Sequence, residues 1–250
     1  AYENGEREFW LTGVLADCKE KYGKKSKQYI QALETSAFIN YEYEAYYNSY
    51  SLEKEVLELS REVFGENSLE YKQSCSKYAL YLSEIGDYGS AIDYQTKVLE
   101  YYREHCGEEN TLYWTSVLQL AKYYSLNMDY HEAVHLLNKF VTANNELKIY
   151  GSRIYITAMN LLADIHCRLG ELQKAIDYAE ESTTILKKSD GSICLYMADS
   201  EEELCGIYCE QRNDDAGIMH GKDAVNIRNK GKGKSETELE GFETLAKELD

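Results

Sequence analysis

The 250-residue sequence contains no proline. Its helices therefore meet none of the steric breaks that a pyrrolidine ring imposes, and no backbone donor is lost inside them, which favours an all-helical chain. Basic charge is also scarce, with 27 Lys and Arg against 44 Asp and Glu and a formal net charge of −17. Such a surface repels phosphate backbones and excludes nucleic acid from the expected partners. The two basic clusters, Lys24, Lys25 and Lys27, then Lys230, Lys232 and Lys234, sit beside glycines in predicted connections and read as solvated loops. No signal peptide and no apolar run long enough to span a bilayer is visible in the sequence, so nothing in it points to secretion or membrane insertion. No C-x-x-C pair occurs among the seven cysteines, and the odd count argues against a disulfide scaffold. Free thiols in a reducing, cytoplasmic compartment fit better. Cys205 and Cys209, four apart, share a helix face rather than forming a zinc knuckle. The chain opens at Ala1 rather than Met, already with helical spacing, as expected for a piece of a longer protein.

What is present is a core and a repeat. Hydrophobic residues make up 44% of the chain, enough to build an interior, and 24 tyrosines supply rings that pack on one edge and stay wet at the other. GENSLEY (Gly65–Tyr71) returns as GEENTLY (Gly107–Tyr113), at an offset of 42 positions. The same offset links GDYGSAI from Gly86, MDYHEAV from Met128 and GELQKAI from Gly170. It carries Ala79 to Ala121 and Ala163, and Ala91 to Ala133 and Ala175. Repeats are thus expected at 23–64, 65–106, 107–148, 149–190 and 191–232, preceded by a partial copy at 1–22 and closed by a helix within 233–250. Together they form a single array.

Each copy reads as two amphipathic helices joined by a tight turn. In the second copy the first helix is predicted from Ser68 to Ile85, with Tyr71, Cys75, Tyr78, Ala79 and Leu82 at helical spacing. Gly86 supplies a residue that accepts positive φ, and Asp87 opens the next helix. Alanines recur where the helices cross, because close approach leaves no room for a larger side chain. One such pair cannot bury its apolar stripe alone and must stack on neighbours.

This pattern, L-A followed by G-x-Y-x-x-A-[IV], resembles the tetratricopeptide repeat, in the longer form of kinesin light chains and many bacterial repeat proteins. The His-Pro that such repeats carry after the opening G-E-x is replaced here by Asn67-Ser68 and Asn110-Thr111. The resemblance implies an all-α, right-handed α-solenoid: a superhelix of antiparallel helix pairs whose first helices line a concave groove. The implied function is that of a protein–protein interaction scaffold without enzyme activity or cofactor, binding a protein or peptide segment in that groove. Carried over by position, the groove residues are Phe38 and Tyr41, then Gln73 and Ser76, then Thr115 and Lys122, then Asn160, Asp164 and Arg168. Glu34, Glu42, Glu84 and Glu202 add acid. Lys122 and Arg168 are isolated cations in this reading. The set departs from the carboxylate clamp of relatives that hold acidic tails, and it points to a ligand with basic and apolar residues. An alternative is the regulatory or sensor array of a larger bacterial protein, of the CHAT-protease or signalling type, although nothing in the chain resembles that protease.

One stretch suggests different chemistry. His131, Glu132 and His135 spell H-E-x-x-H, in which two histidines on one helix face hold zinc and the glutamate acts as base. On the repeat grid, however, Tyr130 and Ala133 take packing positions, while the three motif residues align with Gly89, Ser90 and Asp93, and with Gln173, Lys174 and Asp177. Those are solvent-side slots. A zinc hydrolase remains only as a remote alternative, with His131 and His135 as its metal ligands. His166 and Cys167 are adjacent on a helix and point about 100° apart, so they do not form a nucleophile–base pair. GKGKSE lacks the spacing of a phosphate loop.

Overall fold

Between the two helices of each repeat the backbone passes through the left-handed region: Glu44 (φ 59°), Gly86 (85°), Met128 (65°), Gly170 (76°) and Arg212 (57°). At each of these places two hydrogen bonds close the end of the preceding helix. In the second repeat Gly86 N–H donates to the Ser83 carbonyl (3.2 Å) and Asp87 N–H to that of Leu82 (2.9 Å). The same pair of bonds recurs at Met128 and Asp129, at Gly170 and Glu171, and at Arg212 and Asn213. This is the Schellman closure, which satisfies orphan carbonyls and turns the chain back within a few residues. The next helix then starts at once, with Asp87 capping Ser90 N–H. The first helices open on polar caps, Ser26, Ser68 and Asn110.

The computed structural model describes residues 2–146, 153–188, 194–213 and 215–227. They form α1 (Tyr2–Tyr22), α2 (Lys27–Glu42), α3 (Tyr46–Phe64), α4 (Leu69–Glu84), α5 (Tyr88–Cys106) and α6 (Thr111–Leu126). Then follow α7 (Tyr130–Glu146), α8 (Arg153–Arg168), α9 (Leu172–Lys188), α10 (Cys194–Glu210) and α11 (215–227). There is no strand among the described residues. The fold is all-α, of the α-solenoid class built from helix pairs. The helix expected within 233–250 and the GKGKSE segment lie outside the described residues.

Two compact units divide the chain, Ala1–Asp129 and Tyr130–Asp250. In the first, α2 packs on α3, α3 on α4, α4 on α5 and α5 on α6, with α1 against α2. In the second, α8 packs on α7, α9 and α10, and α9 also packs on α10. Ala79 and Ala91 in the first unit, and Ala163 and Ala175 in the second, are fully buried, as the crossing argument requires. Cys18, Cys75, Cys106, Cys167, Cys205 and Cys209 are free thiols, and no described helix is long and apolar enough to cross a membrane.

The second helices share one equivalent position, at residues 53, 95, 137 and 179, that is buried in every case. Gln95, on α5, is fully satisfied there: its Nε2 donates to Ser116 Oγ on α6 (2.8 Å), and its Oε1 accepts from Ser76 Oγ on α4 (3.2 Å). Leu137 and Ala179 are buried apolar residues at the same place. Glu53, on α3, is 0% exposed, and neither carboxyl oxygen has a hydrogen-bond partner. Burial pushes its carboxyl up to about 8; nearby Lys77 opposes the shift and Glu34 adds to it.

Two outcomes follow for stability. Met128 is exposed and bears a steric cost for positive φ that glycine avoids, so Met128→Gly should stabilise the protein by about 0.5–1 kcal/mol in urea unfolding, with Gly86→Ala moving it the other way. Glu53 titrates near its ordinary 4.5 when unfolded and near 8 when folded, so the folded state binds the extra proton between those values. Its contribution is therefore full below pH 4.5, declines as pH rises to 8 and is level above. Comparing wild type with Glu53→Gln across pH 5–8 should show the variant losing less stability than wild type over that range.

Candidate functional site

The first helices of the N-terminal unit, α2, α4 and α6, are tied to one another by polar side chains. Lys77 on α4 pairs with Glu34 on α2 (Nζ to Oε1, 2.8 Å). The Tyr41 hydroxyl on α2 donates to Glu84 on α4 (3.3 Å), and the Tyr41 ring lies 5.6 Å from that of Tyr81. Burial, then the Glu84 carboxylate, holds the Tyr41 phenol above its usual range. Tyr123 on α6 is buried and its phenol is also pushed up, first by burial and then by Glu84. The result is a tyrosine layer under a band of carboxylates.

The expected groove residues fall on this face in different ways. Phe38 is 56% exposed on α2, beside half-buried Tyr41. Gln73 on α4 and Lys122 on α6 are exposed. Thr115 is exposed, with its hydroxyl bonded to the Thr111 carbonyl one turn back (2.9 Å). Ser76 is half-buried and engaged by Gln95. Phe38 and Tyr41 share one helix with Glu34, and Lys77 and Glu84 reach that group from α4.

In the C-terminal unit, α8 carries Asn160, Asp164 and Arg168. The Asn160 Oδ1 accepts from Ser200 Oγ on α10 (3.0 Å), which also bonds Ser182 (2.8 Å). Arg168 is no isolated cation. Its Nε donates to both carboxylate oxygens of Asp164, four residues earlier, at 2.9 Å each. Close by on α10 stands Glu203, half-buried, its carboxyl raised to about 7 by burial and then by Asp164, with Arg168 pulling the other way. Cys167 is pushed up too, first by burial and then by Glu203. Positional reasoning missed Glu203, as it missed Glu53 and Gln95. The signal was the column holding Lys77, Gln119, Leu161 and Glu203, whose chemistry changes from repeat to repeat.

The H-E-x-x-H residues stand on the solvent side of α7. His131, Glu132 and His135 are exposed on α7, while Ala133 and Leu137 beside them are buried. No group of three metal-ligating side chains occurs among the described residues. His166 is a buried structural histidine: its Nδ1 lies 2.7 Å from Glu171, at the turn into α9, and its ring stacks on Tyr178 at 5.4 Å.

The helices and their recurrent turns define a helical-repeat protein. Residues 73–105 and 111–188 match family models of the tetratricopeptide repeat, and the chain carries such repeats there. No curated protein matches the chain by sequence. Among solved structures, BtubC (BKLC) from P. vanneervenii superposes with a TM-score of 0.69 at 14% identity, covering 89% of this chain and 92% of that one. The nearly identical TPR-like repeats of a Podosopora anserina protein described as a kinesin light chain give 0.64 at 16%, over 81% and 96%. Aspartyl phosphate phosphatase F from Bacillus subtilis gives 0.61 at 16%, over 91% and 67%. At these identities the likeness establishes the fold alone.

The Glu203 cluster is open to direct titration. Following the Glu203 side-chain carbon by NMR, Asp164→Asn should lower the midpoint from about 7 and Arg168→Met should raise it. An unmoved midpoint in both variants would leave burial as the sole cause.

Proposed function

We propose that this protein is a protein–protein interaction scaffold, without catalytic activity of its own, whose first-helix faces bind a peptide or protein segment bearing basic and apolar residues. The observation that carries this reading is the composition of the face of α2 and α4. Glu42 and Glu84, with Glu34 paired to Lys77, share this face with exposed Phe38 and half-buried Tyr41, so negative charge and aromatic surface lie together. A basic side chain gains from the carboxylates, and an apolar one from the rings, with cation–π contact available to arginine. In the C-terminal unit Asp164 and Arg168 neutralise each other, which leaves Glu203 as the acid beside them. Support also comes from the tetratricopeptide repeats themselves, since stacked helical repeats present extended binding surfaces. The net charge of −17 favours association with basic partners and speeds it.

Affinity capture with the whole chain, repeated with Phe38→Ala and Glu42→Lys combined, is the test. Both side chains are exposed, so the double variant alters the face without opening the core. A specific partner should be retained by wild type and reduced by the double variant. Its affinity should fall as salt rises, because the Debye length contracts from about 10 Å at 0.1 M to about 3 Å at 1 M. An affinity indifferent to ionic strength would count against charge-led recognition.

A further inference from the structure

Glu53 occupies a position where the fold accepts a satisfied amide, Gln95, or an apolar side chain, Leu137 or Ala179. Column by column, the differences around it are specific. Where Gln95 meets the hydroxyls of Ser76 and Ser116, the equivalent places around Glu53 hold Glu34 on α2 and Ser74 on α4. The Ser74 hydroxyl is directed elsewhere, to Ser60 Oγ and the Glu70 carbonyl (3.1 Å each). Glu34 brings a second carboxyl instead of a donor. Two buried acceptor oxygens are thus left without a donor, beside another acid, in a position where burying even one unpaired polar group is costly.

The charged groups that act on Glu53 are Lys77 on α4 and Glu34 on α2, which pair with each other at 2.8 Å. Tyr81, buried on α4, also lies within the field of Glu53, Tyr41 and Glu34. The Lys77 side chain is 45% exposed, so it is free to swing into water. Its ammonium is committed to Glu34 and makes no hydrogen bond to Glu53. The site therefore holds two carboxyl groups for one cation, and a second cation is what ionised Glu53 would need.

We propose that Glu53 and Glu34 form a binding site for a cationic side-chain head, the guanidinium or ammonium of an arginine or lysine in the bound segment. The site rests on the reading of the α2–α4 face as a peptide-binding surface and assigns that face its specificity-determining acid. The incoming cation displaces Lys77 outward, takes Glu34 on one side and supplies N–H donors to the two Glu53 oxygens. Arginine suits the site best, since its planar fork offers paired donors and it is more weakly hydrated than an ammonium. Glu53, largely protonated at pH 7 because of its burial, gives up that proton to solvent as the cation arrives, so the carboxylic acid plus cation becomes a carboxylate–cation pair and one released H⁺.

The probe is a short peptide, acetyl-Leu-Arg-Leu-Arg-Leu-amide, with norleucine replacing arginine in the control. Titration calorimetry at pH 7 in two buffers of different ionisation enthalpy reads affinity and proton release together. The wild-type chain should bind the arginine peptide and release up to about one proton, and the norleucine peptide should release none. Glu53→Gln, which recreates the side chain of Gln95 and leaves the exposed charge unchanged, should bind at least about tenfold more weakly with no release. Lys77→Met, which removes the competing cation, should bind several-fold more tightly. Equal affinity for wild type and Glu53→Gln, or binding without proton release, overturns this site and leaves the peptide-binding face standing. Failure of both peptides to bind wild type overturns the site and the face together.

Discussion

A chain reversal of fixed geometry, made once in every repeat, is the constraint on which the rest of the molecule depends. The Schellman closure brings the second helix back against the first within a few residues. Axes that close together admit only a small side chain where they cross, and the alanines at 79, 91, 163 and 175 are the consequence. With the turn constant, α2, α4, α6 and α8 all come to 16 residues. A position in one repeat then has the same backbone surroundings as its counterpart in the next. Glycine makes the reversal without strain at 86 and 170, whereas Glu44, Met128 and Arg212 adopt it against their side-chain preference. Packing tolerates that cost because the register it secures is shared by every helix in the unit.

This equivalence explains how much of the protein was legible in its sequence. Helix ends, caps and crossing alanines follow from the repeat and sit where the spacing puts them; Ser68 and Asp87 do cap α4 and α5. The solvent-side reading of His131, Glu132 and His135 came from the same comparison of columns. What escaped was the fate of polar residues that lie in neither class. Asn160 is engaged by Ser200, far along the chain on a neighbouring helix, and no local pattern announces that contact. The Asp164–Arg168 pair, by contrast, is legible in the sequence as an i,i+4 spacing of opposite charges on one helix.

Glu53 and Glu203 were missed for a more general reason. A variable polar residue in a repeat is ordinarily assigned to solvent, because polarity usually means exposure. The column of Glu53 reads Glu, Gln, Leu, Ala, and that of Glu203 reads Lys, Gln, Leu, Glu. The column of Glu53 lies at an inter-helix junction, where a polar or an apolar side chain is accommodated if its surroundings match. Gln95 matches through two serines, and the place that Ser116 takes beside it is held, one repeat on from there, by Ala158 for Leu137. The sequence carried that signal, but only across repeats.

The acid at position 53 is therefore not required by packing. Leucine fills the same slot at 137, and well-packed apolar replacements of buried charged groups are commonly neutral or stabilising. An amide fills it at 95 with every hydrogen bond made. A carboxyl there gives up stability that either alternative would retain, and with Glu34 alongside it gains no donor in return. Local rules of this kind are broken where a side chain serves something other than the fold. The same carboxyl lies beneath the face on which acid and tyrosine are concentrated, so the stability sacrificed inside the unit and the chemistry displayed on its surface meet at one residue.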